Sequence, residues 1–255
     1  MGSLTGKVAL VTGAGRGLGQ CCANIFAREG AAVVIVDINP ETGEAAAAAI
    51  RGNGGQASFV RADVSDEGQV AAMVAHAVER FGGLDCAINN AVRDLGARVP
   101  LAEIELADWE KVMAVNFTGV FLCMKHQIRA MGPRSGGAIV NIGSGNEHTA
   151  EKGLSWYLAA KQAIYAMTKC AALDYGGQGI RINAVAPGPM WTPLLRETAA
   201  KNPGHLDRHI AHVPLHRIGE PDEIAEAAVW LCTPAASYVH GVTLSADGGY
   251  VLGST

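Results

Sequence analysis

Short, wholly apolar runs alternate with stretches of helical spacing along the entire chain. Val8-Ala9-Leu10-Val11 predicts a buried strand ended by a glycine-rich turn. Helical spacing follows from Leu18 to Arg28, with Gly30 as its stop. Ala32 to Val36 is a second apolar strand. Asn39-Pro40 then opens a helix carrying the Ala45 to Ala49 run, which has high helix propensity. The alternation continues with a strand over Ala57 to Arg61, a helix over Asp66 to Phe81 and a strand over Leu84 to Ile88. After a loop come a long helix from Asp108 to about Met131, a strand over Ala138 to Ile142 and a helix over Trp156 to Tyr175. A strand over Ile180 to Ala186, a helix from Pro221 to Leu231 with Pro in its first turn, and a last strand over Val242 to Ala246 complete the series.

Strands apolar on both faces and separated by helices predict an α/β fold: a doubly wound parallel sheet of Rossmann type, with helices on both faces. Ligands of such sheets bind beyond the strand C-termini, near the point where strand order reverses. No shift in composition divides residues 1–255, so one domain is expected. The most irregular stretch is Pro187 to Pro221, rich in Pro, Leu and His; a substrate lid is expected at about 189–216.

Composition narrows the function classes. Of 255 residues, 49% are hydrophobic and 17% charged, which supports a core that needs no disulfide or metal. The 32 glycines follow no Gly-X-Y period, so they mark turns. A net charge of −4, with Lys and Arg scattered, argues against nucleic acid as a partner. No run approaches the ~18 apolar residues of a membrane span, and Met1 to Lys7 lacks a signal-peptide stretch. Cys21, Cys22, Cys86, Cys123, Cys170 and Cys232 form no C-x-x-C pair and lie in apolar segments, so each is expected as a reduced core thiol. The expectation is a soluble, cytoplasmic protein.

The turn Thr12-Gly13-Ala14-Gly15-Arg16-Gly17-Leu18-Gly19 sits between the first strand and the first helix. Glycines there let the backbone approach a pyrophosphate, whose charge the helix N-terminus stabilises. The strict G-x-G-x-x-G spacing is absent; the pattern is T-G-x-x-x-G-x-G. Asp37 ends the second strand, 18 residues past Gly19. A carboxylate there accepts from ribose hydroxyls and repels a 2′-phosphate, unless it merely caps the helix begun at Pro40. Arg16 suits NADP, but Ile38 follows Asp37 and adds no second basic group. NAD is favoured over NADP.

Tyr157-Leu158-Ala159-Ala160-Lys161 places a phenol and an ammonium one helical turn apart. A phenol with a reference pKa near 10 needs a cation to act as a base at neutral pH. Alone, the pair is an ordinary amphipathic spacing. It stands, however, with Asp63-Val64, Asn89-Asn90-Ala91, Asn116, Ser144 and Asn183-x-x-x-Pro187-Gly188. With these motifs in this order, the chain from Lys7 to about Tyr250 resembles the short-chain dehydrogenase/reductase family in its roughly 250-residue form.

The resemblance implies seven parallel strands in one sheet and an enzyme acting on CH–OH groups. It implies that Tyr157 is the general acid/base, that Ser144 hydrogen-bonds the substrate oxygen and that Lys161 binds the nicotinamide ribose and lowers the Tyr157 pKa. Asn116 would hold a water linking Lys161 to solvent. Gly13, Arg16, Gly17, Leu18, Gly19, Asp37, Asp63, Val64, Asn90, Ala91, Pro187, Gly188 and Thr192 would complete the cofactor site. A homotetramer is implied, pairing the long helices and the C-terminal segment Ala246 to Tyr250. Val92 departs from the family, which usually has Gly there, so the loop to Pro100 is expected to run differently.

Gly119 to Lys125 and Ala227 to Leu231 are similar to bacterial dehydrogenases of cyclohexadiene diols. The leading expectation is NAD-dependent interconversion of a secondary alcohol, cyclic or hydrophobic, and its ketone. An NADPH-dependent ketone or 3-oxoacyl reductase is the second, and a non-catalytic dinucleotide sensor the third. Met190, Trp191 and Leu194, with Trp156, suit an apolar substrate. Asn146, Glu147, His148 and Glu151 fall where the family lines its pocket. His205, His209, His212 and His216 invite a zinc site, but Pro214 breaks the helix and no Cys or carboxylate pair completes it, so no metal is expected.

Overall fold

The computed structural model describes residues 2–93, 98–132, 136–145, 150–201 and 204–252. Its seven strands are β1 (Val8–Thr12), β2 (Ala32–Asp37), β3 (Ala57–Arg61), β4 (Cys86–Asn89), β5 (Gly137–Ile142), β6 (Ile180–Pro187) and β7 (Thr243–Ala246). They form one parallel sheet in the order β3-β2-β1-β4-β5-β6-β7. The order reverses between β1 and β4, and that crevice is where the glycine-rich turn emerges.

Alternate side chains of each central strand feed opposite layers. Ala9, Val11, Val33, Ile35, Ala138 and Val140 pack on one face with α1 (Gly17–Arg28) and α9 (Pro221–Trp230). Val8, Leu10, Val34, Val36 and Ile139 pack on the other with α3 (Glu67–Phe81), α5 (Gly119–Met131) and α6 (Ser155–Tyr175). Both faces being buried is why these strands read as unbroken apolar runs. The remaining helices are α2 (Pro40–Gly52), α4 (Leu106–Met113), α7 (Pro193–Lys201) and α8 (Gly204–Ala211).

A buried polar network crosses this core. The Asn89 amide donates to Gln127 Oε1 at 3.1 Å and to Asn141 Oδ1 at 2.9 Å, and Gln127 donates back to Asn89 at 2.7 Å. Asn141 donates to Thr168 Oγ1 on α6 at 2.9 Å. Leaving one such group unpartnered would cost about 1–3 kcal/mol, so the network holds α6 at one setting against β4 and β5.

Several expectations are corrected. The long helix contains a π-helical segment, Ala114–Thr118, between α4 and α5. The fourth strand starts at Cys86 rather than Leu84, because Asp85 turns to receive the Val8 amide (3.0 Å) and the Lys7 ammonium (3.2 Å). Cys170 is exposed on α6 and Cys21 is half-buried, whereas Cys22, Cys86, Cys123 and Cys232 are buried. α8 ends at Ala211, so His212 is already off the helix; His216 lies beyond Pro214, as expected, and takes a positive φ of 50°. The side chains of His205 and His209 lie outside the described residues. Among the described residues, no group of three or more His, Cys, Asp or Glu is placed to hold a metal. Among them also, no helix is long and apolar enough to cross a membrane.

Candidate active site

The glycine-rich turn closes on the exit of β4. Asn90 donates its side-chain amide to the carbonyls of Thr12 and Gly13, each at 3.1 Å. The backbone amides of Asn90 and Ala91 donate to Thr12 Oγ1 at 3.0 and 3.1 Å. Gly13 has φ +63°, and a Cβ there would lie 2.9 Å from Ala91 Cα. Gly19 abuts the Gly13 carbonyl so closely that any side chain would collide. Gly17 differs: with φ +59°, its open side meets no atom within 4 Å. α1 starts behind it, with Arg16 as an N-cap whose exposed side chain makes no capping bond.

Asp37 does not cap α2; Asn39 does, accepting from the Glu41 and Thr42 amides. Asp37 instead accepts from the Gly15 amide at 2.9 Å and the Asn39 amide at 3.0 Å, fixing a carboxylate at the mouth of the crevice. Arg61 is paired with Asp37 in the β2–β3 register and donates to the Ile38 carbonyl at 3.3 Å. Strand pairing thus brings a basic residue beside Asp37 that Ile38, its neighbour in sequence, does not supply. Asp63 anchors its own turn, accepting from the Ser65 amide and hydroxyl, and Val64 is buried against Gly119.

α6 carries the candidate pair, Tyr157 and Lys161. Lys161 is buried and its ammonium donates to the Ile142 carbonyl at 2.8 Å. Its Nζ lies 5.7 Å from the centroid of the Tyr157 ring. Burial pushes the Lys161 pKa down to about 8. The Tyr157 phenol goes up: burial raises it, the Ser144 hydrogen bond opposes this, and the Glu151 carboxylate raises it further. Desolvation is thus the largest influence of the protein's own groups on this phenol. Asn116 is fully buried in the π-helical segment, accepting from the Arg93 amide at 2.8 Å. π-Helical turns recur at functional positions.

The rim is cross-tied. Val99 donates to the Gly153 carbonyl at 3.1 Å, and Arg98 forms an ion pair with half-buried Glu151. Gly188 follows β6, its amide bonded to the Ala246 carbonyl at 3.1 Å, and Asp247 crowds its Cα. Thr192 accepts from the Leu195 amide at 3.1 Å and so starts α7. Met190 bridges to Gly219, and Trp191 donates to the Gly219 carbonyl at 2.9 Å, pinning both ends of the excursion between them. Asn146, Glu147 and His148 lie outside the described residues, as do residues 94–97 of the loop after exposed Val92. Trp156 is buried.

A family model described as enoyl-(acyl carrier protein) reductase matches residues 13–251. A 2,5-dichloro-2,5-cyclohexadiene-1,4-diol dehydrogenase of Sphingobium indicum is 44% identical over 252 residues, covering 98% of this chain and 99% of the relative. A cis-4-hydroxycyclohexanecarboxylate dehydrogenase of Sinomonas cyclohexanicum is 41% identical over 244 residues, 96% of each chain. The crystal structure of a gluconate 5-dehydrogenase from Burkholderia cenocepacia J2315, in complex with NADP and tartrate, superposes with a TM-score of 0.91. It is 35% identical and covers 98% of this chain and 96% of that one. The protein therefore belongs to the short-chain dehydrogenase/reductase family and is an oxidoreductase acting on CH–OH groups.

Proposed function

We propose that the chain interconverts a secondary hydroxyl of a cyclic alcohol or diol and its ketone, with NAD, through Tyr157 as general acid/base. The carrying observation is the Tyr157 phenol, hydrogen-bonded to Ser144, with buried Lys161 beside its ring. The bound nicotinamide would accept the hydride in oxidation and return it in reduction. Tyr157 takes the hydroxyl proton in one direction and donates it in the other. Ser144 donates a hydrogen bond to the same oxygen, stabilising the charge that develops there. Lys161 is cationic below about pH 8 and binds ribose hydroxyls; Asn116 orders the solvent behind it.

The crevice fits a dinucleotide. Gly17 is open where a pyrophosphate would pass, between Gly13, Arg16, Leu18 and Gly19, over the uncapped start of α1. Asp37 would take the adenosine ribose, Asp63 and Val64 the adenine border, and Asn90 and Ala91 the floor. Pro187, Gly188 and Thr192 would take the nicotinamide side. The whole of 1–255 then acts as one dinucleotide-binding domain, with 189–216 as its lid, hinged where Met190 meets Gly219.

Substrate class rests on the ring alcohols named for the two relatives. Incubation with NAD and a panel of cyclohexanols, cyclohexane-1,4-diols and 4-hydroxycyclohexanecarboxylates, followed at the NADH absorbance, is expected to show turnover. A panel that is silent while open-chain 3-oxoacyl esters consume NADPH overturns the assignment.

Cofactor choice has a second reading, because Arg61 pairs with Asp37 in the strand register and Arg16 follows Gly15, whose amide bonds the Asp37 carboxylate. The fixed carboxylate favours NAD, since a 2′-phosphate would meet its charge directly. Fluorescence titration is expected to give tighter NADH than NADPH binding. Asp37→Ala should raise NADPH affinity at least about tenfold, ~1.4 kcal/mol. Tighter NADPH binding by the unaltered protein refutes the choice.

A homotetramer is also proposed. Phe121 and Leu173 are exposed beside a groove between α5 and α6, and Tyr238 and Leu252 are exposed near the C-terminus. Six free cysteines suit a reducing, cytoplasmic compartment. Light scattering of the purified protein tests the assembly; a monomer at micromolar concentration rules it out.

A further inference from the structure

Three successive turns of α6 grip the exit of β5. Tyr157, Lys161 and Tyr165 are spaced by four residues each and so share one helical face. Tyr157 reaches the Ser144 side chain, and Lys161 reaches the Ile142 carbonyl. Tyr165 is buried, with 4% of its surface exposed, and its hydroxyl bridges both peptide groups of Ser144. It accepts from the Ser144 N–H at 2.7 Å and donates to the Ser144 C=O at 2.7 Å.

The residue between Ile142 and Ser144 is glycine for want of space. A Cβ at Gly143 would collide with the hydroxyl and ring of Tyr165. β6 holds the same turn from the opposite side. The Gly143 N–H donates to the Val185 carbonyl at 2.8 Å, and the Gly145 N–H to the Pro187 carbonyl at 2.6 Å. The Ser144 peptide groups are thus held by a side-chain hydroxyl while their neighbours are held by a strand.

We propose that Tyr165 is a positioning residue for this reaction: it clamps the Ser144 backbone so that the Ser144 hydroxyl stays aimed between Tyr157 and the substrate oxygen. The inference rests on the reading of Ser144 as the donor to that oxygen. A misplacement of about 1 Å in such a group can cost on the order of 10²-fold in rate. A hydroxyl that fixes both the N–H and the C=O of one residue removes the peptide rotation that would produce it.

The test compares Tyr165→Phe, Ser144→Ala and the double variant, assayed with NAD and the cyclohexane-ring alcohol that the unaltered enzyme oxidises fastest. Tyr165→Phe keeps the ring and is expected to lower kcat about tenfold with KM for NAD unchanged, a smaller loss than outright removal of an oxyanion donor. In the Ser144→Ala background the same change should cost nothing further, because its effect passes through Ser144. Losses that multiply instead overturn the proposal, as does an unaltered kcat in Tyr165→Phe.

Amide hydrogen exchange over residues 136–145 reads the clamp without any substrate. Tyr165→Phe should accelerate exchange there, and unchanged exchange overturns the clamp. Accelerated exchange together with full activity of Ser144→Ala overturns the Ser144 assignment, and the positioning role with it. Gly143→Ala retains the Tyr165 hydroxyl but pushes it off the Ser144 peptide, so it should reproduce both the slower kcat and the faster exchange. Wild-type behaviour in that variant counts equally against the proposal.

Discussion

Tyr157→Phe is expected to lower kcat for alcohol oxidation by about 10²–10⁴-fold, the range a positioned general acid/base contributes. NADH binding and the thermal transition should stay close to those of the unaltered protein. The expectation of an intact fold follows from the local geometry. Tyr157 is half-buried, and Phe retains its ring beside Lys161. The lost phenol was hydrogen-bonded to Ser144, which has Tyr165 to hold its backbone. The loss in rate follows from chemistry, since Phe has no hydroxyl to take up or return the proton. Glu151, the nearest carboxylate felt by the phenol, is tied to Arg98.

The same surroundings give the reaction a direction of pH dependence. Burial raises the Tyr157 phenol above its ordinary value, so the protein groups favour its protonated form. Protonated Tyr157 is ready to donate, which suits ketone reduction across the neutral range. Oxidation needs the phenolate, and the positive charge of the oxidised nicotinamide would favour it. Rates of oxidation should therefore rise with pH toward the alkaline side while rates of reduction fall. Rate profiles measured in both directions on one substrate check this; parallel profiles would remove Tyr157 from the proton transfer.

Much of this arrangement is legible in the chain because its signals are local. Strands buried on both faces appear as apolar runs such as Ala32 to Val36, and the turn between β1 and α1 shows its glycines in sequence. Tyr157 and Lys161 are visible because i and i+4 positions of one helix must be neighbours. What stays hidden depends on partners distant in sequence. Arg61 comes beside Asp37 only through the β2–β3 register. Tyr165 reads as one more apolar-face residue of α6 until the exit of β5 is placed against it. A signal did exist, since Tyr165 continues the four-residue spacing of Tyr157 and Lys161, next to a glycine on either side of Ser144. The π-helical segment at Asn116 has no apolar pattern of its own, and Cys170 is exposed because an apolar sequence neighbourhood does not say which way one side chain of a helix points.

Lys161→Met should cost activity on a scale comparable to Tyr157→Phe, and it also carries a signature in stability that an exposed lysine would lack. Lys161 is buried, and its pKa falls from 10.5 to about 8. The unfolded chain therefore holds a proton on Lys161 between pH 8 and 10.5 that the folded chain has released. Stability rises with pH wherever the unfolded state binds more protons. The contribution is thus fully present above pH 10.5 and is lost as pH falls through 8. Over that window the unaltered protein should gain on the order of 3 kcal/mol relative to Lys161→Met. The comparison must be made between the two proteins, because the buried thiols of Cys22, Cys123 and Cys232 are shifted upward and act in the opposite sense on both. Denaturant titrations at pH 7, 8, 9 and 10 on both chains measure the difference directly. A stability gap that stays flat across the series would mean that Lys161 keeps an ordinary pKa in the folded protein. The cation beside Tyr157 would then persist well above pH 8, and the alkaline limit on proton transfer would have to come from Tyr157 alone.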